Sequence, residues 1–208
     1  LLSLARNCAY DQWSVGKTVI LQKDLSLEGM LWEPIPSFSG QFKGNGHTIS
    51  DLTITGQYSP AGLFGIVEEQ GSIESLSVRG VVSVSDSADT TTGGIVGINH
   101  GTLINCQFTG VVTGDSEVGG IVGRNESEGT IDHSTARAIV TGKSSTGGIA
   151  GYNLGAITGC TNVGAVNSEY QESALDMEGL PATLLELDTE PGRPVTARLP
   201  GDHEEDAR

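Results

Sequence analysis

Cationic side chains are scarce in this 208-residue chain: 11 Lys and Arg stand against 26 Asp and Glu, a formal net charge of −15. That balance argues against a nucleic-acid surface and against anchoring on anionic lipid. No apolar run reaches the ~18–20 residues that a membrane-spanning helix needs. Aromatic residues are few, at 5 %, and there are only 7 prolines. With so little proline and no glycine at every third position, a collagen-like chain is excluded. The 3 cysteines, Cys8, Cys106 and Cys160, cannot all pair within one chain and make no disulfide framework. An H-E-x-x-H motif is missing, and with it that form of zinc-protease chemistry. The opening stretch, LLSLARNCAYDQW, has neither an initiator Met nor the charged-then-apolar pattern of a signal peptide, and reads as the trimmed edge of a longer product.

Glycine is plentiful, at 30 residues about twice its ordinary share. Val, Ile and Leu fill the spaces between the glycines, so most of the chain has the content to order. The negative charge is uneven: residues 169–208 account for −8 of the −15. The chain suits one domain with a sizeable core, or two by length alone.

Three stretches are nearly the same sentence: GGIVGINHGTLINC, GGIVGRNESEGTI and GGIAGYNLGAITGC. Their glycine pairs, Gly93-Gly94, Gly119-Gly120 and Gly147-Gly148, recur at intervals of 26 and 28 residues, and Ala61-Gly62 holds the same place in an earlier, degenerate copy. Columns follow from the alignment. Ile49, Ile73, Leu103, Ile131 and Ile157 form an apolar column, and Leu52, Leu76, Cys106, Ser134 and Cys160 a small or apolar one. A third holds Ile54, Val78, Phe108, Ala136 and Asn162; Gly56, Gly80, Gly110, Ala138 and Gly164 mark a corner after it. Beyond the corner come Val81-Val82, Val111-Val112, Ile139-Val140 and Ala165-Val166.

Each unit consists of short β-branched runs separated by Gly or Asn-Gly-like corners, too short for a helical repeat. Such a unit cannot bury its own apolar face. Stacked at ~4.8 Å, each coil gives the next a partner for every backbone N–H and C=O. The pattern therefore predicts an all-β chain: a right-handed parallel β-helix of about five to six coils, with an acidic C-terminal tail. The expected organisation is an N-terminal cap and first coil over 1–42 and a repeat β-helix over 43–168. An acidic insert or C-terminal cap over 169–188 and a disordered tail over 189–208 complete it. Within the third part, Ser173–Leu187 supplies the leucines to cover the last coil.

Several residues invite a chemical reading. Asn99, Asn125 and Asn153 share one turn position and read as an amide ladder rather than a ligand row. Glu126, Glu128, Asp132 and His133 form a dense polar cluster, with Asp115 and Glu117 at the corner before it. Carboxylates beside a histidine could hold Ca²⁺ or do acid–base work. Glu126 and Glu128, however, fall in an insertion, where solvation is the expected state. His47 reads as packing over the preceding turn. Trp13 and Trp32 could stack on a sugar, but near the N-terminal end they read as cover for the first coil. Asn125-Glu126-Ser127 fits a glycosylation sequon. Thr102, Thr130 and Ala156 make only a short column, too little for a ranked-threonine ice-binding face. Cys106 and Cys160 lie two coils apart, roughly 9–10 Å between Cα atoms, beyond the ~7 Å that a disulfide spans. All three cysteines are expected to be free thiols.

The stretch GGIVGINHGTLINCQFTGVVTG resembles the GLUG-motif repeats of bacterial surface and secreted proteins, which also occur in non-catalytic regions of immunoglobulin A-cleaving metalloproteases. DQWSVGKTVILQKDLSLEGMLWEPIPSFSGQFKGNGHTISDLTITG is similar to the segment that commonly precedes them. The resemblance spans roughly residues 8–168 and implies a β-helix at the cell surface or outside the cell. The motifs are poor guides to function; the residues themselves give the expectation of no catalytic, cofactor-binding or metal-ligating residue and no cofactor. The expected role is a non-catalytic, adhesin-like interaction surface or structural spacer; the alternative is a glycan-binding or polysaccharide-cleaving β-helix enzyme. Expected partners are host or cell-wall glycans or proteins and the rest of a longer polypeptide, with no nucleic acid and no membrane insertion.

Overall fold

Glycine corners between β-branched runs leave the chain one economical solution, and the computed structural model shows it. The structure describes residues 1–10, 12–85 and 90–168. The strand pairings among them are parallel, and the chain winds through about five turns of a β-solenoid. Sheet I stacks Thr18–Ile20, Gln41–Lys43, Ser72–Glu74, Thr102–Ile104, Thr130–Asp132 and Ala156–Thr158. Sheet II stacks Leu25–Ser26, Thr48–Gly56, Ser77–Val84, Gln107–Thr113, Thr135–Gly142 and Thr161–Asn162, with Val166–Ser168 also on Thr135–Gly142. Sheet III is short: Thr91–Gly93, Glu117–Gly119 and Thr146–Gly147. Sheet IV joins Ile35–Phe38, Phe64–Val67, Val96–Asn99, Val122–Asn125 and Ala150–Asn153. Each turn visits sheets I, II, III and IV in that order once the repeats are established.

From Ile73 onward the columns read from the sequence are the observed register. Ile73, Leu103, Ile131 and Ile157 are successive partners in sheet I, and the first three of these are fully buried. Val78, Phe108, Ala136 and Asn162 follow one another in sheet II. Burying one such aliphatic side chain stabilises by about 1.5–3 kcal/mol.

The first coils depart from expectation. Ile49 belongs to sheet II, on Val78, and the residue preceding Ile73 in its file is Phe42, itself preceded by Val19. The cause is local. Strand Thr48–Gly56 breaks register between Ile49 and Leu52, with Asp51 at φ +61. Beyond that bulge Leu52 lies on Gly80, Ile54 on Val82 and Gly56 on Val84, so each leaves its expected column.

The Gly80–Gly110–Ala138 file is also no corner. It runs through the interior of the long sheet II strands. Gly110 is at φ +150, and a Cβ there would come within 1.8 Å of the Gly80 carbonyl oxygen. The corner is elsewhere, between sheets I and II. Ser75, Asn105, His133 and Gly159 sit there at φ 52, 51, 46 and 62, a left-handed file of four different residue types.

At the N-terminal end, Phe38, Phe42 and Phe64 pack with ring centroids 5.4–6.4 Å apart. The helix Leu2–Cys8 lies against Ile35–Phe38 and buries Leu4 and Cys8. Trp32 is 2 % exposed and donates its indole N–H to the Leu63 carbonyl. The expected C-terminal cap, Ser173–Leu187, and tail, 189–208, lie outside the described residues.

Candidate functional site

The asparagine column is a ladder. Asn99 donates its amide to Asn125 Oδ1 at 2.8 Å, and Asn125 donates to Asn153 Oδ1 at 2.8 Å. The amide nitrogens of Asn99, Asn125 and Asn153 also donate to the carbonyls of Gly101, Gly129 and Gly155, respectively, at 3.1–3.2 Å. Asn99 and Asn125 are fully buried, so no ligand reaches them. Burial likewise closes Asn125 to glycosylation, although its sequon is intact. The left-handed conformation is not their reason for being there, since positive φ falls on the Ser75–Gly159 file instead.

The polar cluster of the third repeat comes apart into separate pairs. Arg124 donates Nε to Glu117 Oε2 at 2.7 Å, with a second, closer contact from its other guanidinium nitrogen to Glu117 Oε1. It stands 3.6 Å from Glu126 and lies over the Tyr152 ring at 4.9 Å. Tyr152 follows Arg124 in the sheet IV register, so coil stacking brings the ring under the cation. Glu117 also accepts from the Thr91 hydroxyl at 3.2 Å, and its hydrogen bond raises the Arg124 pKa further. Glu126 is thus not solvated as its insertion suggested: its side chain is 22 % exposed and faces Arg124. Glu128 is exposed and held below the usual carboxylate range by the Ser127 hydroxyl.

Asp132 and His133 stand around the corner, on sheet I and on the left-handed file. They pair at 2.8 Å, with the imidazole largely exposed. Asp115 pairs with Lys143 at 2.6 Å. At the other end, His47 Nδ1 is 3.1 Å from Asp24, whose carboxylate also accepts the Thr48 N–H at 2.9 Å. Those two partners, the Thr48 N–H first, lower the Asp24 pKa. The His47–Asp24 and Asp115–Lys143 pairs each tie one coil to the next, whereas the Asp132–His133 pair stays within its own corner. Among the described residues no group of three or more His, Cys, Asp and Glu comes together as a metal set.

Trp13 packs partly against the core with Lys17 Nζ 4.6 Å from its ring, and Trp32 is core. The Thr102–Thr130–Ala156 column is in register, but the same file continues into Ser72 and Gln41. A cavity of about 210 Å³ lies between the N-terminal helix and the Ile35–Phe38 strand, lined by Cys8, Tyr10, Gln12 and Ser39 among others. Among the described residues its lining brings no carboxylate, imidazole or cation.

All three cysteines are free. Cys106 and Cys160 occupy one file with Ser134 between them: the Cys106 N–H bonds Ser134 Oγ at 3.1 Å, and the Ser134 N–H bonds Cys160 Sγ at 3.4 Å. Burial pushes the Cys106 thiol up to about 12 and raises those of Cys8 and Cys160.

What this fold and these contacts define is a β-solenoid whose polar residues staple coil to coil. The GLUG motif is matched at residues 114–141, covering the third repeat and its strands. The chain is 35 % identical over 117 residues to halomucin of Haloquadratum walsbyi, which takes in 52 % of this chain and 1 % of that protein. It is 30 % identical over 137 residues to a proposed Gly-rich membrane protein of Evansella cellulosilytica, covering 48 % of this chain and 16 % of the relative. The chain thus spans a small fraction of the length of both relatives. A solved structure described as a proposed immunoglobulin A1 protease from Bacteroides ovatus is 15 % identical, with a TM-score of 0.49 over 74 % of this chain and 71 % of that one.

Proposed function

We propose that this chain is a non-catalytic repeat module of a larger surface or secreted protein, serving as a spacer or adhesin-like interaction surface. The observation that carries the reading is the use made of the chemistry-bearing side chains. Glu117, Arg124, Glu126, Asn99, Asn125 and Asp132 are each spent on a contact within or between coils. General acid–base chemistry needs two groups facing one substrate position, and these face one another. The relatives support the setting, one being named halomucin and the other a Gly-rich membrane protein. Host or cell-wall glycans and proteins are the partners to test.

The experiment is an array of host and cell-wall glycans and proteins probed with the whole chain, alongside reducing-end release from pectin-like and host glycans. Retention of one partner class without cleavage fits the module. Cleavage abolished by Asp132→Asn, or one stoichiometric Ca²⁺ or Zn²⁺ per chain by plasma mass spectrometry, would overturn it.

A further inference from the structure

Sheet II presents an unusual outer surface for so acidic a chain. Its strands Ser77–Val84, Gln107–Thr113 and Thr135–Gly142 contain no Asp or Glu, yet two arginines, Arg79 and Arg137, project from them, exposed. Beside the arginines runs an outward aliphatic file of Val81, Val111 and Ile139, in which Val81 is 40 % and Ile139 50 % exposed. No aromatic ring lies on this surface, so it lacks the platform on which a sugar ring stacks.

The outer surface of sheet I carries the complementary pattern at the same rungs. Its file reads Lys43, Glu74, Ile104, Asp132. The matching file of sheet II reads the Asp51 bulge, Arg79, Thr109, Arg137. Rung by rung the signs oppose: plus against minus, minus against plus, neutral against neutral, minus against plus. In both files the outer two of the last three rungs are charged, roughly 9–10 Å apart by the coil spacing. Among the described residues Glu74, Arg79 and Arg137 form no ion pair, Asp132 pairs only with its neighbour His133, and Arg79 does no more than help keep Asp24 ionised from a distance.

We infer that copies of this chain pack side by side, the sheet II face of one on the sheet I face of the next, with axes parallel and rungs level. Two solenoids with parallel axes turn in the same sense, so their touching strands run antiparallel. With Glu74 opposite Arg79, that direction places the small file Ser72, Thr102, Thr130 against the aliphatic file Val81, Val111, Ile139. Small side chains then receive bulky ones, and the interface closes without aligned bulk. Two different faces meet, so the contact is heterologous and propagates into a row rather than closing as a dimer. Long-range repulsion between chains of −15 is screened beyond about 8 Å at 0.15 M salt, while close pairs persist. The inference goes beyond the proposed module and holds whether or not that module binds a foreign partner.

Sedimentation equilibrium of the full chain at 0.15 M salt, from about 10 μM to about 1 mM, tests it. The weight-average mass should climb past twice 21.6 kDa. Arg79→Glu/Arg137→Glu should remain monomeric, as should Glu74→Lys/Asp132→Lys, each with the wild-type melting profile. An equimolar mixture of the two variants should associate again, because each then offers the face the other needs. A monomeric wild type, variants that still associate, or a mixture that does not would each overturn the proposal. So would retention of polygalacturonate by the wild type and not by Arg79→Glu/Arg137→Glu, which would assign the face to an anionic glycan.

Discussion

Replacing Asn125 with Ala removes the middle of the ladder. Asn125 accepts one hydrogen bond from Asn99 and donates to Asn153 Oδ1 and the Gly129 carbonyl, all from a fully buried position. Each such bond contributes about 1 kcal/mol net, and a buried partner left without one costs at least as much. Asn99 keeps its bond to the Gly101 carbonyl, which limits the damage on that side. The loss should come to about 3 kcal/mol, or roughly 6–12 °C in melting temperature for a chain of this size. Asn153 stands at the end of the ladder and is only half-buried; there Ala should cost about 1 kcal/mol. Guanidinium unfolding of both variants, followed by circular dichroism, measures the difference. Equal costs at the two positions would refute the ladder as a buried, shared network.

Ile131→Asp should abolish the cooperative melt, because it buries an unpaired charge in a fully enclosed file, a loss of over 4 kcal/mol; a soluble variant with one sharp transition would contradict the stacking. Gly110→Ala should cost about 2 kcal/mol or more, since the added Cβ meets the Gly80 carbonyl oxygen and φ +150 disfavours a side chain; an unchanged denaturation midpoint would show that the file is looser. The native chain should react slowly with Ellman's reagent at pH 8, and the denatured chain should show all three thiols. The Cys106 pKa is raised from 9.0 to about 12, so the fold favours the neutral thiol: that stability is complete below pH 9 and drains away as pH rises toward 12. Three thiols reacting at once in the native chain would contradict their burial, and a Cys106–Cys160 disulfide found by peptide mapping would mean the register is off by a coil.

The stack was legible from Ile73 onward because each coil there repeats the same offsets between its columns, as in Ile73, Leu76, Val78 and Gly80 against Leu103, Cys106, Phe108 and Gly110, even though successive coils differ in length. The entry to the array was not. The corner between Phe42 and Ile49 is two residues longer than its counterpart between Ile73 and Val78, which carries Ile49 into sheet II; the bulge at Ser50–Asp51 then shifts Leu52, Ile54 and Gly56, and Phe42 escapes a search for an aliphatic column. The Ser75, Asn105, His133, Gly159 corner was hidden for a different reason: a shared backbone conformation left no shared residue type. His133 consequently stood out as a chemical candidate when its position answers to the corner. Arg124 meets Glu117, 7 positions back, where one coil turns from sheet III to sheet IV, and meets Tyr152, 28 positions on, only once the coils are stacked. The amide ladder was readable because identical side chains at identical positions bond to one another directly.

The central claim is that the strands from Thr18 to Ser168 form one continuous parallel stack, and the distance along its axis tests that most directly. Gln41 and Ala156 occupy the same outward file of sheet I, four rungs apart. Spin labels on cysteines at these two positions, in a chain whose native cysteines are replaced by Ser or Ala, should give one dipolar distance centred near ~19 Å, four coil spacings. A distribution centred beyond ~30 Å, or two populations of which neither fits four rungs, would contradict the stack and every contact between coils described above.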